Sequence, residues 1–247
     1  MGMRTYYDED EVAHKVSIIR RHRSGVSFIP TNISGCILWL RSDLGITMDG
    51  SNRVSKWADQ SGIGNDFSQS IDANKFVWTD SELNGYPGLI ADGSSDEMHC
   101  VGFTYMQPID FYMVVKQISW TSTDRIMGDT AAHGYAFNIA QLLVGSPDIA
   151  IYSGTDWVCV NSDLTVGSYK LLQATFNGAS SLTRVNGGSP VTGNPGVVGS
   201  TDLWLASIDG ANHGNISFVE IVAYNSAIGD SDRINLQNYF NGKYIIY

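Results

Sequence analysis

Residues 36–65 read CILWLRSDLGITMDGSNRVSKWADQSGIGN. The stretch opens as a strand. Cys36, Leu38 and Leu40 alternate with Ile37, Trp39 and Arg41 at the two-residue period of a pleated sheet. It turns at Asp49-Gly50-Ser51, resumes over 53–58 with Val54 and Trp57, and closes in the corner Ser61-Gly62-Ile63-Gly64-Asn65. Gly and Asn tolerate the positive φ that such corners require. Turn chemistry alone does not explain the whole string Trp57-x-Asp59-x-Ser61-Gly62-x-Gly64-Asn65.

Downstream, the same alternation recurs between turn signals. Short strands are expected over 75–79 and 88–91, separated by Asn84-Gly85-Tyr86-Pro87 and followed by Asp92-Gly93-Ser94-Ser95-Asp96. Over 110–118, Phe111, Met113 and Val115 share one face and Tyr112, Val114 and Ile118 the other, so this strand should be central, with little water on either side. Further strands are expected over 125–128, 135–143, 148–152 and 156–160, and a hairpin of 169–176 with 180–185 across Asn177-Gly178-Ala179. A strand over 202–208 carries Trp204, and a polar loop spans 209–215. The strand over 216–225 has Ile216, Phe218, Glu220, Val222 and Tyr224 on one face. A helix over 231–241 follows, with Leu236, Tyr239 and Phe240 as its apolar stripe and Gly242 as its stop, and 243–247 should return as a strand. No internal repeat is present.

The Leu-Trp-Leu strand, the Asp-Gly turn and the Trp-x-Asp-x-Ser-Gly-x-Gly-Asn string resemble the opening of the concanavalin A-like lectin/glucanase superfamily, in its laminin-G-like branch. The Asn-Gly-x-Pro turn leading to Asp92-Gly93-x-x-Asp96 is similar to the same branch, with Ala91 where its members usually carry Phe. The Glu-bearing strand, Tyr224-Asn225 and the Asp232-Arg233 helix resemble its closing signature. The resemblance implies an all-β fold: a two-sheet antiparallel jelly-roll sandwich over 35–247 with one short C-terminal helix, preceded by an N-terminal arm over 1–34. Hydrolases of the superfamily carry Glu-x-Asp-x-x-Glu on one strand. No such string occurs here, so the resemblance implies a non-catalytic adhesion or glycan-binding module, of the kind seen on phage virions, tail or capsid. A purely structural decoration or fibre protein is the alternative, and a glycoside hydrolase the third reading.

The formal net charge of −10 argues against duplex nucleic acid or an anionic membrane as the main partner. Residues 1–34 hold five Lys/Arg and four Asp/Glu, leaving ten and twenty-one in the remainder of the 15 and 25. Within that arm Asp8-Glu9-Asp10-Glu11 precedes Val16, Ile18 and Ile19, and then Arg20, Arg21 and Arg23. This is how a short helix complements its dipole. The open alternatives are a solvated tail and a segment that orders against a partner, docking through those six apolar and basic residues. Other virion or assembly proteins and further copies of the chain are the partners this implies. The N-terminus has no apolar signal core, so synthesis in the cytoplasm and a place on a virion surface or outside the cell are expected. Cys36, Cys100 and Cys159 sit in strand-like runs at no zinc or disulfide spacing and read as small buried hydrophobes.

Two sets of candidate site residues emerge. Asp92, Ser94 and Asp96 have the spacing of the first three calcium-loop ligands, but Phe103 stands where the loop's Glu belongs. The favoured reading is a turn closed by Asp side chains on backbone amides, with no cofactor; calcium shared with a distant loop is the other. Sugar sites pair an aromatic ring with Asp or Asn side chains, and the consecutive loops offer Trp120, Asp124, Asp129, His133, Tyr152 and Trp157, a rim suited to a cell-surface glycan. The competing reading places Tyr152 and Trp157 in a Trp-rich core. Glu220, alone inside a long strand, reads as a structural acid bonded to Arg233 or to backbone.

Overall fold

The computed structural model describes residues 28–129, 136–142 and 145–247. Its elements run β1 (Cys36–Arg41), β2 (Ile46–Met48), β3 (Val54–Trp57), β4 (Phe67–Ser68), β5 (Val77–Leu83), β6 (Tyr86–Ile90), β7 (Met98–Tyr105), β8 (Ile109–Gln117), β9 (Arg125–Gly128), β10 (Asn138–Gln141), β11 (Ile149–Tyr152), β12 (Val158–Asn161), β13 (Lys170–Phe176), β14 (Ser181–Val185), β15 (Val191–Gly193), β16 (Ser200–Leu205), β17 (Ile216–Tyr224) and α1 (Asp230–Tyr244). Among the described residues they build two antiparallel sheets facing one another. The back sheet has eight strands in the order β15-β14-β13-β8-β17-β6-β5, with β1 also on β17. The front sheet has nine, in the order β12-β11-β10-β9-β16-β7-β4-β3-β2.

The fold is therefore the all-β sandwich that the alternation predicts. The two ends of the chain meet in one sheet, Trp39 opposite Val222 and Leu40 opposite Ile221. Phe111, Met113 and Val115 of β8 enter the core between the sheets, while Tyr112 and Val114 pack under the helix. Both faces of β8 are thus dry, and its polar residues fall at the strand's two ends, where buried Asp110 and Gln117 are hydrogen-bonded to Thr175 and to the Leu164 carbonyl.

The string around Asp59 is a clasp. Asp59 Oδ1 accepts from the amides of Trp39 and Ser61, each at 2.8 Å. Its Oδ2 accepts from Ser61 Oγ at 2.6 Å, Gly64 N at 3.1 Å and Asn65 N at 3.0 Å. Asn65 Nδ2 in turn donates to the Ile37 carbonyl at 2.8 Å. Gly62 and Gly64, at φ 90° and 94°, let the backbone curl round the carboxylate. One acid thereby ties the corner to β1.

Three expectations are corrected. The helix continues to Tyr244 through Gly242, and no final strand over 243–247 forms. Leu236, Phe240 and Tyr244 lie four residues apart on one buried face, so packing on the back sheet holds the last turn against the glycine. The packed body begins before residue 35. Pro30 and Ile33 are buried, Phe28 packs beside α1, and Tyr224 OH donates to the Pro30 carbonyl at 3.0 Å. Val16, Ile18, Ile19, Arg20, Arg21 and Arg23 lie outside the described residues. Lastly, Glu220 does not meet Arg233, which pairs with Asp230 at 3.0 Å. Glu220 Oε1 accepts from Trp39 Nε1 at 2.6 Å and Tyr239 OH at 2.8 Å. Its Oε2 accepts from Lys243 Nζ at 2.8 Å and Tyr244 OH at 2.5 Å.

All three cysteines are free thiols, and burial pushes each up to about 12, Asp59 adding to the effect at Cys36 and Cys100.

Candidate functional site

The helix covers the back sheet; the outer face of the front sheet is where side chains meet solvent. Along each of its strands, residues flanked by core side chains point outward. His99 lies between core Met98 and Cys100, Trp204 between Leu203 and Leu205, and Asn138 and Tyr152 next to Ile139 and Ile151. Register sets them in a row. Ser68 pairs with His99, His99 with Trp204, Trp204 with Gly128, and Asn138 with Tyr152. Gly128 closes the gap, since a Cβ there would sit 2.5 Å from Asn138 Oδ1 and 3.5 Å from the Ser207 carbonyl.

That carbonyl belongs to a hairpin standing on the sheet. Ile208 and Ala211 exchange backbone bonds at 2.9 and 3.1 Å across Asp209 and Gly210, at φ 49° and 75°. Positive φ at both central positions is what a two-residue type I′ turn demands, and Asp-Gly supplies it. Glu97 holds the hairpin down: its Oε2 accepts from Ser207 Oγ at 2.6 Å and Gly210 N at 3.0 Å, with His213 Nε2 at 3.8 Å. Asn212 Nδ2 reaches Thr123 Oγ1 at 3.0 Å, and the Asn212 carbonyl takes the Arg125 amide at 2.8 Å.

A groove lies on each side. The first, about 460 Å³, is lined by Arg125, Tyr152 and Trp157 from the sheet side and by Ile208, Asp209, Ala211 and Asn212 from the hairpin. The rings of Tyr152 and Trp157 stand 5.2 Å apart at 38°, and the Arg125 guanidinium sits 5.0 Å from the Trp157 centroid. Arg125 is itself fixed by Asn138 Oδ1 at 3.2 Å and the Thr123 carbonyl. The result is a rigid aromatic platform edged by a cation, a carboxylate and an amide. The second groove, about 540 Å³, is lined by serines 55, 68 and 70 with Gln69, Glu97, His99, Trp204 and Asp209. Here His99 stacks on Trp204 at 3.7 Å and 12°. Burial lowers the His99 imidazole from its ordinary range, against the pull of Asp202. Asp209 lines both grooves.

The expected rim residues divide. Tyr152 and Trp157 line the first groove. Trp120 does not; its Nε1 donates to the Asp148 carbonyl at 2.8 Å and pins a loop. Asp124 is half-buried beside Arg125 but outside the groove lining, and burial raises its carboxyl. Asp129 is fully buried, its Oδ2 accepting from the Thr201 amide at 3.2 Å, so it cannot meet a ligand at the surface. His133 lies outside the described residues. Arg125, His99, Trp204, Asp209 and Asn212 line the grooves without belonging to the expected rim. The Asp-Gly pair between two strands was the available signal for the hairpin, and strand alternation the signal for His99 and Trp204.

At the other candidate, Asp92 Oδ1 accepts from the amides of Ser94, Ser95 and Asp96 at 2.7, 3.0 and 3.1 Å, and Asp96 Oδ2 from the Asp92 amide at 3.1 Å. One oxygen of each carboxylate thus closes the turn on its own backbone. Burial, with Asp92 beside it, pushes Asp96 up to about 6.

No protein-family profile matches the sequence, and no curated protein matches it. Solved structures do match in shape. A Trypanosoma rangeli sialidase in complex with 2,3-difluorosialic acid superposes with a TM-score of 0.62 at 12% identity, over 96% of this chain and 40% of that one. Domain 4 of AbnA, an extracellular arabinanase from Geobacillus stearothermophilus, in complex with arabinotriose, gives 0.61 at 13%, over 82% of this chain and 98% of the domain. The receptor-binding domain of botulinum neurotoxin type G gives 0.57 at 10%, over 83% and 51%. The chain thus spans about two fifths of the sialidase chains it matches. At these identities the likeness establishes the fold, and what the chain shares with these proteins is a β-sandwich of jelly-roll type.

Proposed function

We propose that this protein is a non-catalytic carbohydrate-binding module of the concanavalin A-like superfamily, which holds glycan on the outer face of its front sheet. The observation that carries this is the first groove. Sugars present weakly apolar C–H faces and a rim of hydroxyls. Tyr152 and Trp157 offer adjoining rings for the faces, and Asp209, Asn212 and Arg125 offer acceptors and donors for the rim. One protein similar in fold, the arabinanase domain matched over 98% of its length, is solved with arabinotriose, which supports the reading. A binding rather than hydrolytic role fits the spending of Glu220, buried in the long strand β17, on four structural donors. Display on a larger assembly such as a phage virion, by attachment through the residues before Phe28, is part of the same reading.

The test is a glycan array probed with the full chain on a multimeric carrier, because single shallow sites bind weakly and avidity raises the signal. Arabino-oligosaccharides and sialylated glycans belong on the array. Binding is expected, and Trp157→Ala should reduce it about tenfold or more, as loss of an aromatic anchor does. Absence of any bound glycan, or binding indifferent to Trp157→Ala, refutes the site. Release of a cleaved product from a bound glycan refutes the non-catalytic part alone.

A further inference from the structure

Two grooves on one sheet face, sharing a wall residue, ask more of a ligand than one sugar can give. The row from Ser68 on β4 to Tyr152 on β11 crosses six neighbouring strands. At the usual strand spacing of roughly 4.8 Å this is a path of about 24 Å. The grooves measure about 460 and 540 Å³, each in the range of a small-molecule site, and both are open to solvent rather than closed pockets. A reader of terminal sugars encloses the end unit, whereas among the described residues both grooves lie open along the sheet face.

The two linings also differ in a way that suits successive units of a chain. The first offers the Tyr152–Trp157 platform and the Arg125 edge. The second offers small donors and acceptors, Ser55, Ser68, Gln69 and Ser70, against the stacked His99–Trp204 wall. The turn at Asp209-Gly210 stands between them, and Asp209 lines both sides. Resting on the glycan-binding reading above, we propose that the two grooves are subsites of one surface for an extended, unbranched oligosaccharide. The chain is read along its interior, lies across the strands and passes over the hairpin, with Asp209 contacting units on either side.

The experiment is calorimetric titration of the full chain with linear arabino-, xylo-, gluco- and galacto-oligosaccharides graded from disaccharide to octasaccharide, and with sialyllactose as a terminal-sugar probe. Affinity is expected to rise with length until both grooves are filled. A longer chain also offers one groove more registers, so length alone does not decide. Ser68→Trp does: Ser68 is exposed, the substitution fills the second groove without touching the core, and it should lower octasaccharide affinity by roughly tenfold, to that of the trisaccharide. His99→Ala should flatten the length dependence in the same direction. If Ser68→Trp keeps the full gain with length, or if sialyllactose binds as tightly as any octasaccharide, the spanning proposal is overturned while the glycan reading stands. If no oligosaccharide binds, both are overturned.

Discussion

Glu220 gathers four donors round one carboxylate with no solvent exposure, the indole of Trp39, two tyrosine hydroxyls and the Lys243 ammonium. Glu220→Gln puts an amide donor among donors and leaves Lys243 without its nearest anion. It should cost roughly 3–5 kcal/mol, read as a lowered denaturant midpoint with the slope unchanged. Asp110 is a different buried acid. Thr175 Oγ1 at 2.6 Å, Tyr112 OH at 3.1 Å and Gln173 Nε2 at 3.2 Å hydrogen-bond to it, yet burial outweighs them and pushes it up to about 6. Its folded value exceeds the unfolded one of roughly 3.9, so the unfolded state sheds its proton first and this group's contribution to stability falls as pH rises from about 4 to 6. Compared with Asp110→Asn by urea unfolding, the native protein should lose ground by on the order of 2 kcal/mol across that window. Glu220 could be singled out in the sequence because it interrupts an apolar strand. Its partners could not, because Trp39 lies 181 positions away and Lys243 and Tyr244 come from a helix turn beyond Gly242, a residue that usually ends a helix.

At the scale of elements, alternation announced the long strands and the Asn-Gly and Asp-Gly pairs announced the turns, because both are local demands of backbone geometry. What the 209–215 loop does was not legible, because its position comes from Glu97, 110 residues before Ser207. Glu97→Ala should release the hairpin. Amide exchange at Gly210 and Ala211 should speed up while β8 stays protected, stability should fall by about 1–3 kcal/mol, and groove-one affinity should weaken. Unchanged exchange would mean that the turn carries itself. The rim residues Trp120 and Asp129 misled for the converse reason. Their types suit sugar chemistry, but sequence does not say which loop residues are turned inward to hold other loops.

For the whole molecule, the boundary matters. Residues 28–34 pack under the helix side of the back sheet, so the packed unit starts earlier than composition suggested. Removing 1–27 should leave the thermal transition nearly unchanged. Removing 1–34 takes away buried Pro30 and Ile33 and the acceptor for Tyr224 OH, and should cost roughly 2–4 kcal/mol. Scanning calorimetry of the two truncations decides it. Equal melting points would place 28–34 outside the cooperative unit.

The Asp59 clasp bears on kinship. Five donors converge on that carboxylate, and each comes from the backbone or from Ser61 within the corner or β1. Descent could therefore preserve the string through changes of diet, since none of its residues lines either groove. Two descendants bearing it share a joint and inherit no common taste. The grooves are written elsewhere, in His99, Trp204, Trp157 and the turn at Asp209, so the proposed choice of sugar could be rewritten there without loosening the frame.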